Sequence, residues 1–351
     1  MPTGKLLWAD NIRFFATIGV IILHTSSSGL YLFATIPTIQ WGILDVVDSA
    51  MRCCVPLFVM LSGALLLRQD KELVPYLKNR FWRIIVPFLF WALVYCVVYI
   101  ASIWTKIDGE KAVATFVEIL KDVFFYKGLF RMQAFHFWYV YMIIGLFLVV
   151  PILRRWIKYA TKKEMRYFLL LWAISLILLP MADASFKPTI DITFFSGYIG
   201  YFIVGYYLSE TDFDSKLLNT KSLTVIILLL VMLTAGGTYY LTSMEGSLNQ
   251  EFFKYLSPNI VLLSIAVFLW LKQLRIKNNR LLGWMVILNK YSFGIYLVHI
   301  IVLRILNNIG INWSFIHPLI GIPLTAGIAF ISSFTIIFIL NKLPLGKHIS
   351  G

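Results

Sequence analysis

Charge and cysteine are scarce in this sequence, and acidic residues are scarcer still. Only 14% of its 351 residues are charged, and 17 Asp and Glu stand against 31 Lys and Arg. So few charges cannot cover a water-soluble chain of this length. The three cysteines, Cys53, Cys54 and Cys96, lie inside apolar runs. They have neither metal-ligand spacing nor a paired framework, so no metal and no disulfide scaffold is expected. No small-residue cleavage signature follows the first apolar run, which is therefore read as a retained span rather than a signal peptide. Internal repeats are absent, and no appended soluble domain is read at either end, so 1–351 is taken as one transmembrane domain.

What is present is hydrophobicity: 60% of residues are hydrophobic and the mean hydropathy is +0.81. Apolar stretches of about 20 residues recur along the chain, each long enough to cross a bilayer as a helix. The expected fold is an all-α integral membrane protein, a bundle of about ten transmembrane helices near 7–30, 43–67, 83–105, 135–153, 167–182, 191–208, 222–242, 256–271, 284–307 and 318–341. A net charge of +14 would suggest nucleic acid as the partner of a soluble protein. Here the basic residues lie mainly between apolar segments, which points to the lipid bilayer and its anionic headgroups and not to nucleic acid. With both termini in the cytoplasm, twenty Lys and Arg fall on inner turns and termini and seven on outer turns, a bias that supports an N-in, C-in, multi-pass topology. Within the longest outer connection, 112–126 has apolar residues at helical spacing. It reads either as an amphipathic helix on the outer interface or as a short helix packed on the bundle.

Against this background the intramembrane polar groups stand out, because each is costly in hydrocarbon. The first span, WADNIRFFATIGVIILHTSSS over 8–28, carries Asp10, Arg13 and His24. Eleven helical steps are about three turns, so Arg13 and His24 point the same way and lie roughly 16 Å apart. Asp10, Thr17 and Ser28 fall near the same face, which implies a protein-lined or water-filled interior. Two plainer readings stay open: an Asp10–Arg13 pair snorkelling to the inner headgroups, and a packed, satisfied histidine. In the second span Asp45, Asp48 and Arg52 share a face at a depth similar to His24. A carboxylate there could orient His24, or Asp48 and Arg52 could form a structural pair. Arg80 and Arg83 in RFWR make a cationic fork at the inner interface, suited to phosphate and equally explained by positive-inside anchoring. HFWY, with His136 and Trp138, opens the fourth span and could be an aromatic belt. Ser292, Tyr296 and His299 share a face of the ninth span, as helix packing with a satisfied histidine would also require. His317 is expected to be exposed.

The motifs WADNIRFFATIGVIILHT, DSAMRCCVPLFVMLSGALLL, RFWRIIVPFLFW, HFWYVYMIIGLFLVVP and YSFGIYLVH, in this order and spacing, resemble the acyltransferase family 3 membrane proteins, bacterial O-acyltransferases of cell-envelope glycans. Within that family the chain most resembles the enterobacterial common antigen O-acetyltransferase type. The resemblance covers nearly the whole chain. It implies a bacterial cytoplasmic membrane enzyme that moves an acetyl or other acyl group from acetyl-CoA to a hydroxyl of an envelope polysaccharide or lipid-linked glycan. By the same resemblance His24 is the catalytic histidine, Arg13, Arg80 and Arg83 bind the acyl-CoA, and Arg52 matches the second-helix pattern. Joined to the residue reading, His24 becomes a general base assisted by Asp45 or Asp48, with Asp10, Arg52, His136, Trp138, Tyr296 and His299 as substrate or structural support. A transporter or flippase of a lipid-linked glycan is the competing class, because a buried Arg/Asp/His network also suits a proton-coupled carrier.

Overall fold

The computed structural model describes residues 7–103, 117, 134–181, 193, 196–212, 218–276 and 278–351. The described residues form helices and connecting turns, with no strand among them. In chain order the helices are α1 (Leu7–Leu30), α2 (Thr38–Met51), α3 (Cys54–Leu66), α4 (Leu73–Arg80), α5 (Val86–Ile103), α6 (Trp138–Tyr159), α7 (Lys162–Met181), α8 (Ile199–Glu210), α9 (Thr220–Glu245), α10 (Pro258–Gln273), α11 (Asn279–Lys290), α12 (Ser292–Asn308), α13 (Pro318–Lys342) and the short α14 (Gly346–Ile349).

Seven helical stretches among the described residues are long and apolar enough to cross a membrane, and α11 with α12 makes an eighth if that bent pair is one span. The sequence reading expected ten. With that pair counted, the fifth and sixth expected spans account for the difference. The described α7 opens with Lys162, Lys163, Glu164 and Arg166, and α8 has 12 residues, about 18 Å of helix against a hydrocarbon core of roughly 30 Å. Much of 182–195, including the start of the sixth expected span, lies outside the described residues, as does the helix expected over 112–126 apart from Val117. Thr161 and Glu164 form a reciprocal cap at the start of α7: the Thr161 N–H donates to Glu164 Oε2 at 2.6 Å, and the Glu164 N–H to Thr161 Oγ1 at 3.2 Å.

α1 lies at the centre of the bundle, packed against α2, α3, α10, α11, α12 and α13. Its polar residues Asp10, Asn11, Thr17, Thr25 and Ser26 are buried; of the stripe inferred from periodicity, Asp10 and Thr17 are buried, Arg13 and His24 half-buried and Ser28 exposed. Thr17, Thr25 and Ser26 satisfy their hydroxyls on carbonyls one turn back in the same helix, and Asn11 donates to the Leu274 carbonyl at the end of α10. The three cysteines are free and buried. Cys54 fills the notch left by Gly19, where a Cβ would meet its sulfur at 2.1 Å.

Two spans are broken four residues before a proline, where the ring clashes with the i−4 carbonyl and the missing N–H leaves that carbonyl without its helical partner. Pro56 acts on Arg52, and α2 ends at Met51 with α3 starting at Cys54. Pro87 acts on Arg83, and Phe81–Ile85 widens into a π turn in which the Val86 N–H reaches back to the Phe81 carbonyl. Turns of this kind often mark functional positions. A further bend, of 74°, separates α11 from α12 at Tyr291.

The tightest crossing is α3 on α8. A Cβ on Gly63 would lie 1.8 Å from the Phe202 carbonyl oxygen, and one on Gly205 would lie 1.9 Å from that of Met60. Backbone fills the space, so no side chain can move aside. Gly63→Ala is expected to cost about 1–3 kcal/mol by overpacking, read as a lower midpoint of thermal unfolding in detergent. A midpoint equal to wild type would show that the two helices separate freely.

Candidate active site

The site has two parts. The first is a cavity of about 360 Å³ near the N-terminal end of α1, lined among others by Arg13, Arg80, Arg83, Lys290, Ser62 and Tyr139. Arg13 projects from α1, Arg80 ends α4, Arg83 sits on the π turn, and Lys290 closes α11 at the bend. The three arginines chosen from sequence therefore meet in one place, with a fourth cation that periodicity did not indicate. Arg13 is held loosely by Asp10, at 3.9 Å. Asp10 is fixed in turn by Asn289, whose Nδ2 donates to the Asp10 carbonyl at 2.9 Å and to Oδ1 at 3.1 Å. The Asp10–Arg13 pair thus exists, and its guanidinium faces the cavity beside the other cations. Arg80 lies over the rings of Tyr76 and Phe147, at 5.6 and 5.4 Å, and its Nε is buried without a hydrogen bond. An apolar groove of about 350 Å³ continues from the cavity past Arg80, Ile84 and Phe147.

The second part is a cluster of three histidines. The rings of His24 and His299 are 5.3 Å apart, those of His136 and His299 are 5.2 Å apart, and His24 to His136 is 6.4 Å. His136 and His299 are 1% and 0% exposed, while His24 is half-buried. HFWY is therefore no simple interfacial belt: its histidine and first two aromatics that follow divide between the cluster and the core. His136 joins the histidines, and Phe137 is fully buried. Trp138 stacks on Tyr255 at 5.4 Å, as packing. His317, expected to be exposed, is half-buried and caps α13 by accepting the Leu319 N–H.

Tyrosines join the two parts. Tyr139 and Phe293 line the cavity. Tyr296 contacts both, at 5.4 Å from Tyr139 and stacked at 6.4 Å on Phe293. It also lies 5.5 Å from His136 and 5.7 Å from His299, and its hydroxyl donates to the His136 carbonyl. The Ser292, Tyr296, His299 face of α12 thus begins at the cation cavity and ends at His24, alongside the Arg13-to-His24 face of α1.

Asp45 and Asp48 are placed differently from the expectation that one of them orients His24. Asp48 is fully buried and accepts from Arg52, with Nε at 2.6 Å and Nη2 at 2.5 Å. Arg52 lies 4.2 Å over the Phe253 ring. Asp45 accepts a long bond from Ser49, at 3.4 Å. Among the described residues the rings beside His24 are Phe135, His136 and His299, and no hydrogen bond or ion pair to either aspartate is found. The pairing with Arg52 follows from i, i+4 spacing, the alternative already open in the sequence. Asn289 and Lys290 were missed because their role depends on the bend that follows them.

The family of acyltransferase domains matches residues 6–342. The chain belongs to acyltransferase family 3. A relative named "Putative membrane-bound acyltransferase YfiQ", from Bacillus subtilis (strain 168), is 26% identical over 309 residues, covering 82% of this chain and 78% of its own length. No solved structure gives a significant match. With the apolar helices described above, membership makes the protein a multi-pass membrane acyltransferase.

Removing one member of a buried ion pair strands the other. Arg52→Ala is expected to cost about 3–5 kcal/mol, whereas the double variant Asp48→Leu/Arg52→Met should lose far less. Thermal unfolding of the purified variants in detergent compares them, and an Arg52→Ala protein as stable as wild type would mean that Asp48 needs no counter-charge.

Proposed function

We propose that this acyltransferase takes its acyl group, acetyl in the first instance, from acyl-CoA on the cytoplasmic side of the bacterial inner membrane and transfers it to a hydroxyl of a cell-envelope glycan. The observation that carries this reading is the four-cation cavity connected through Tyr296 to a buried histidine cluster, in a chain of an acyltransferase family. Arg13, Arg80, Arg83 and Lys290 suit the phosphates of such a donor, since charge-assisted bonds to guanidinium groups are strong and directional. The unpartnered Arg80 Nε is a donor left free for a ligand. An extended pantetheine arm reaches over distances of the order of the Arg13–His24 separation, which brings the thioester to the histidines.

His24 then acts as general base. Its free ring nitrogen takes the proton of the acceptor hydroxyl while the oxygen bonds to the thioester carbonyl carbon. As the C–S bond breaks, the proton passes from the imidazolium to the departing sulfur, leaving the ester on the glycan and free CoA on the inner side. Burial of the cluster keeps water from competing as acceptor.

Membranes given radiolabelled acetyl-CoA and envelope glycan test the reading. His24→Ala is expected to lower label transfer by about 10²–10⁴-fold while the protein still inserts, and normal transfer by that variant removes His24 from the chemistry. Movement of glycan without ester formation would instead identify a carrier. Arg80→Ala and Arg83→Ala are each expected to weaken CoA binding to purified protein, by roughly 10- to 100-fold if a charged hydrogen bond of about 1.5–3 kcal/mol is lost. Unchanged affinity would take that arginine out of the donor site.

A further inference from the structure

We infer that His299 is a positioning residue for His24: its Nε2, which makes no hydrogen bond in this structure, takes the ring N–H of His24 once the acyl donor is bound and so fixes which His24 nitrogen is left to take a proton. The inference rests on the reading of His24 as the base. His299 is fully buried, and its Nδ1 lies 2.6 Å from the Tyr296 carbonyl oxygen. A carbonyl oxygen only accepts, so Nδ1 carries the hydrogen. A neutral imidazole has one N–H, so Nε2 carries a lone pair. That Nε2 is buried with no hydrogen-bond partner among the described residues, and an acceptor left so is costly unless it serves something.

The ring contacts of His299 say what it can serve. Its histidine neighbours are His24 at 5.3 Å and His136 at 5.2 Å. Both ring nitrogens of His136 are buried without a hydrogen-bond partner among the described residues, and its ring lies farther from His24, at 6.4 Å, so His299 is the nearer imidazole. His24 is a base only with one nitrogen unprotonated and aimed at the acceptor, which requires a partner to hold the proton on the other. Carboxylates commonly fill that place, yet among the described residues Asp48 binds Arg52 through Oδ2 while its Oδ1 makes no hydrogen bond, Asp45 accepts from Ser49, and neither is hydrogen-bonded to His24. The Nε2 of His299, on the face of α12 that starts at the cation cavity, is a buried acceptor whose direction is set by backbone. During transfer the His24 imidazolium holds two N–H groups, one facing His299 and one returning its proton to the sulfur of the leaving CoA. His299 itself gains and loses no proton.

The test uses the purified full-length protein in proteoliposomes with radiolabelled acetyl-CoA and envelope glycan. His299→Phe keeps a ring of similar size and removes the acceptor, while His299→Gln keeps an acceptor. The Phe variant is expected to lose about 10- to 100-fold in kcat, as when the group orienting a functional imidazole is removed, with KM for acetyl-CoA unchanged. The Gln variant is expected to recover most of that loss. In a His24→Ala background, His299→Phe is expected to change the residual rate no further, because it acts through His24. A Phe variant with wild-type kcat overturns the inference, as does equal loss in Phe and Gln with a raised KM, the result of a purely structural role. Should the Phe variant fail to insert, His299→Leu against His299→Gln makes the same comparison. If His24→Ala is inactive while His299→Phe is fully active, the positioning role alone falls; if His24→Ala is active, the reading of His24 as base falls.

Discussion

A hydrocarbon layer offers no hydrogen bonds, so every charged or polar side chain inside it must find protein. The rest of this molecule follows from how that constraint is met for one helix. α1 carries a carboxylate, an asparagine, an arginine, a histidine and several hydroxyls, and six neighbouring helices enclose it. Short hydroxyls turn back on their own helix, Asn11 reaches the end of α10, and Asp10 is clasped by Asn289. With these bonds made, Arg13 lines the cation cavity and His24 packs among Phe135, His136 and His299. Lipid-facing helices have no such demands, and α9 accordingly presents long apolar side chains outward.

The residues of the candidate site come from breaks as much as from regular helix. The π turn carries Arg83 and follows directly on Arg80, the α2–α3 break holds Arg52 at the end of a turn begun by Asp48, and the bend at Tyr291 brings Asn289 and Lys290 beside Ser292. Each break releases a helix from its 100° step and allows side chains to converge that regular geometry would fan apart. Between the breaks, the unbroken parts of α1 and α12 act as rails joining the cation cavity to the histidines.

Much of this was legible in sequence where the signal was periodic. The shared face of Arg13 and His24, the Ser292–Tyr296–His299 face, the close placement of Arg80 and Arg83 and the Asp48–Arg52 spacing all reappear as contacts or cavity lining. The breaks at Arg52 and Arg83 were readable in principle from Pro56 and Pro87, four residues on. What sequence could not supply was which stripe meets which. His24 and two aspartates at a similar depth suggested a carboxylate partner, but the neighbours supplied are imidazoles from helices more than a hundred residues away. Of the ten expected spans, seven or eight are long and apolar enough among the described residues; the described α8 has 12 residues, and the start of that expected span lies outside them.

The two rails have a consequence for how such a site can change over time. Along a helix, distance and direction are coupled: one inserted residue moves a side chain only about 1.5 Å outward but swings it about 100° around the axis. His24 can therefore be shifted relative to Arg13 and remain on the shared face only in whole turns of three or four residues, steps of roughly 4.5–6 Å. α12 obeys the same rule independently, and a step in one rail without the other would separate His24 from His299. The span between Arg13 and His24 is thus not a continuously adjustable quantity but a graduated one, and the gradations of two helices must be changed together.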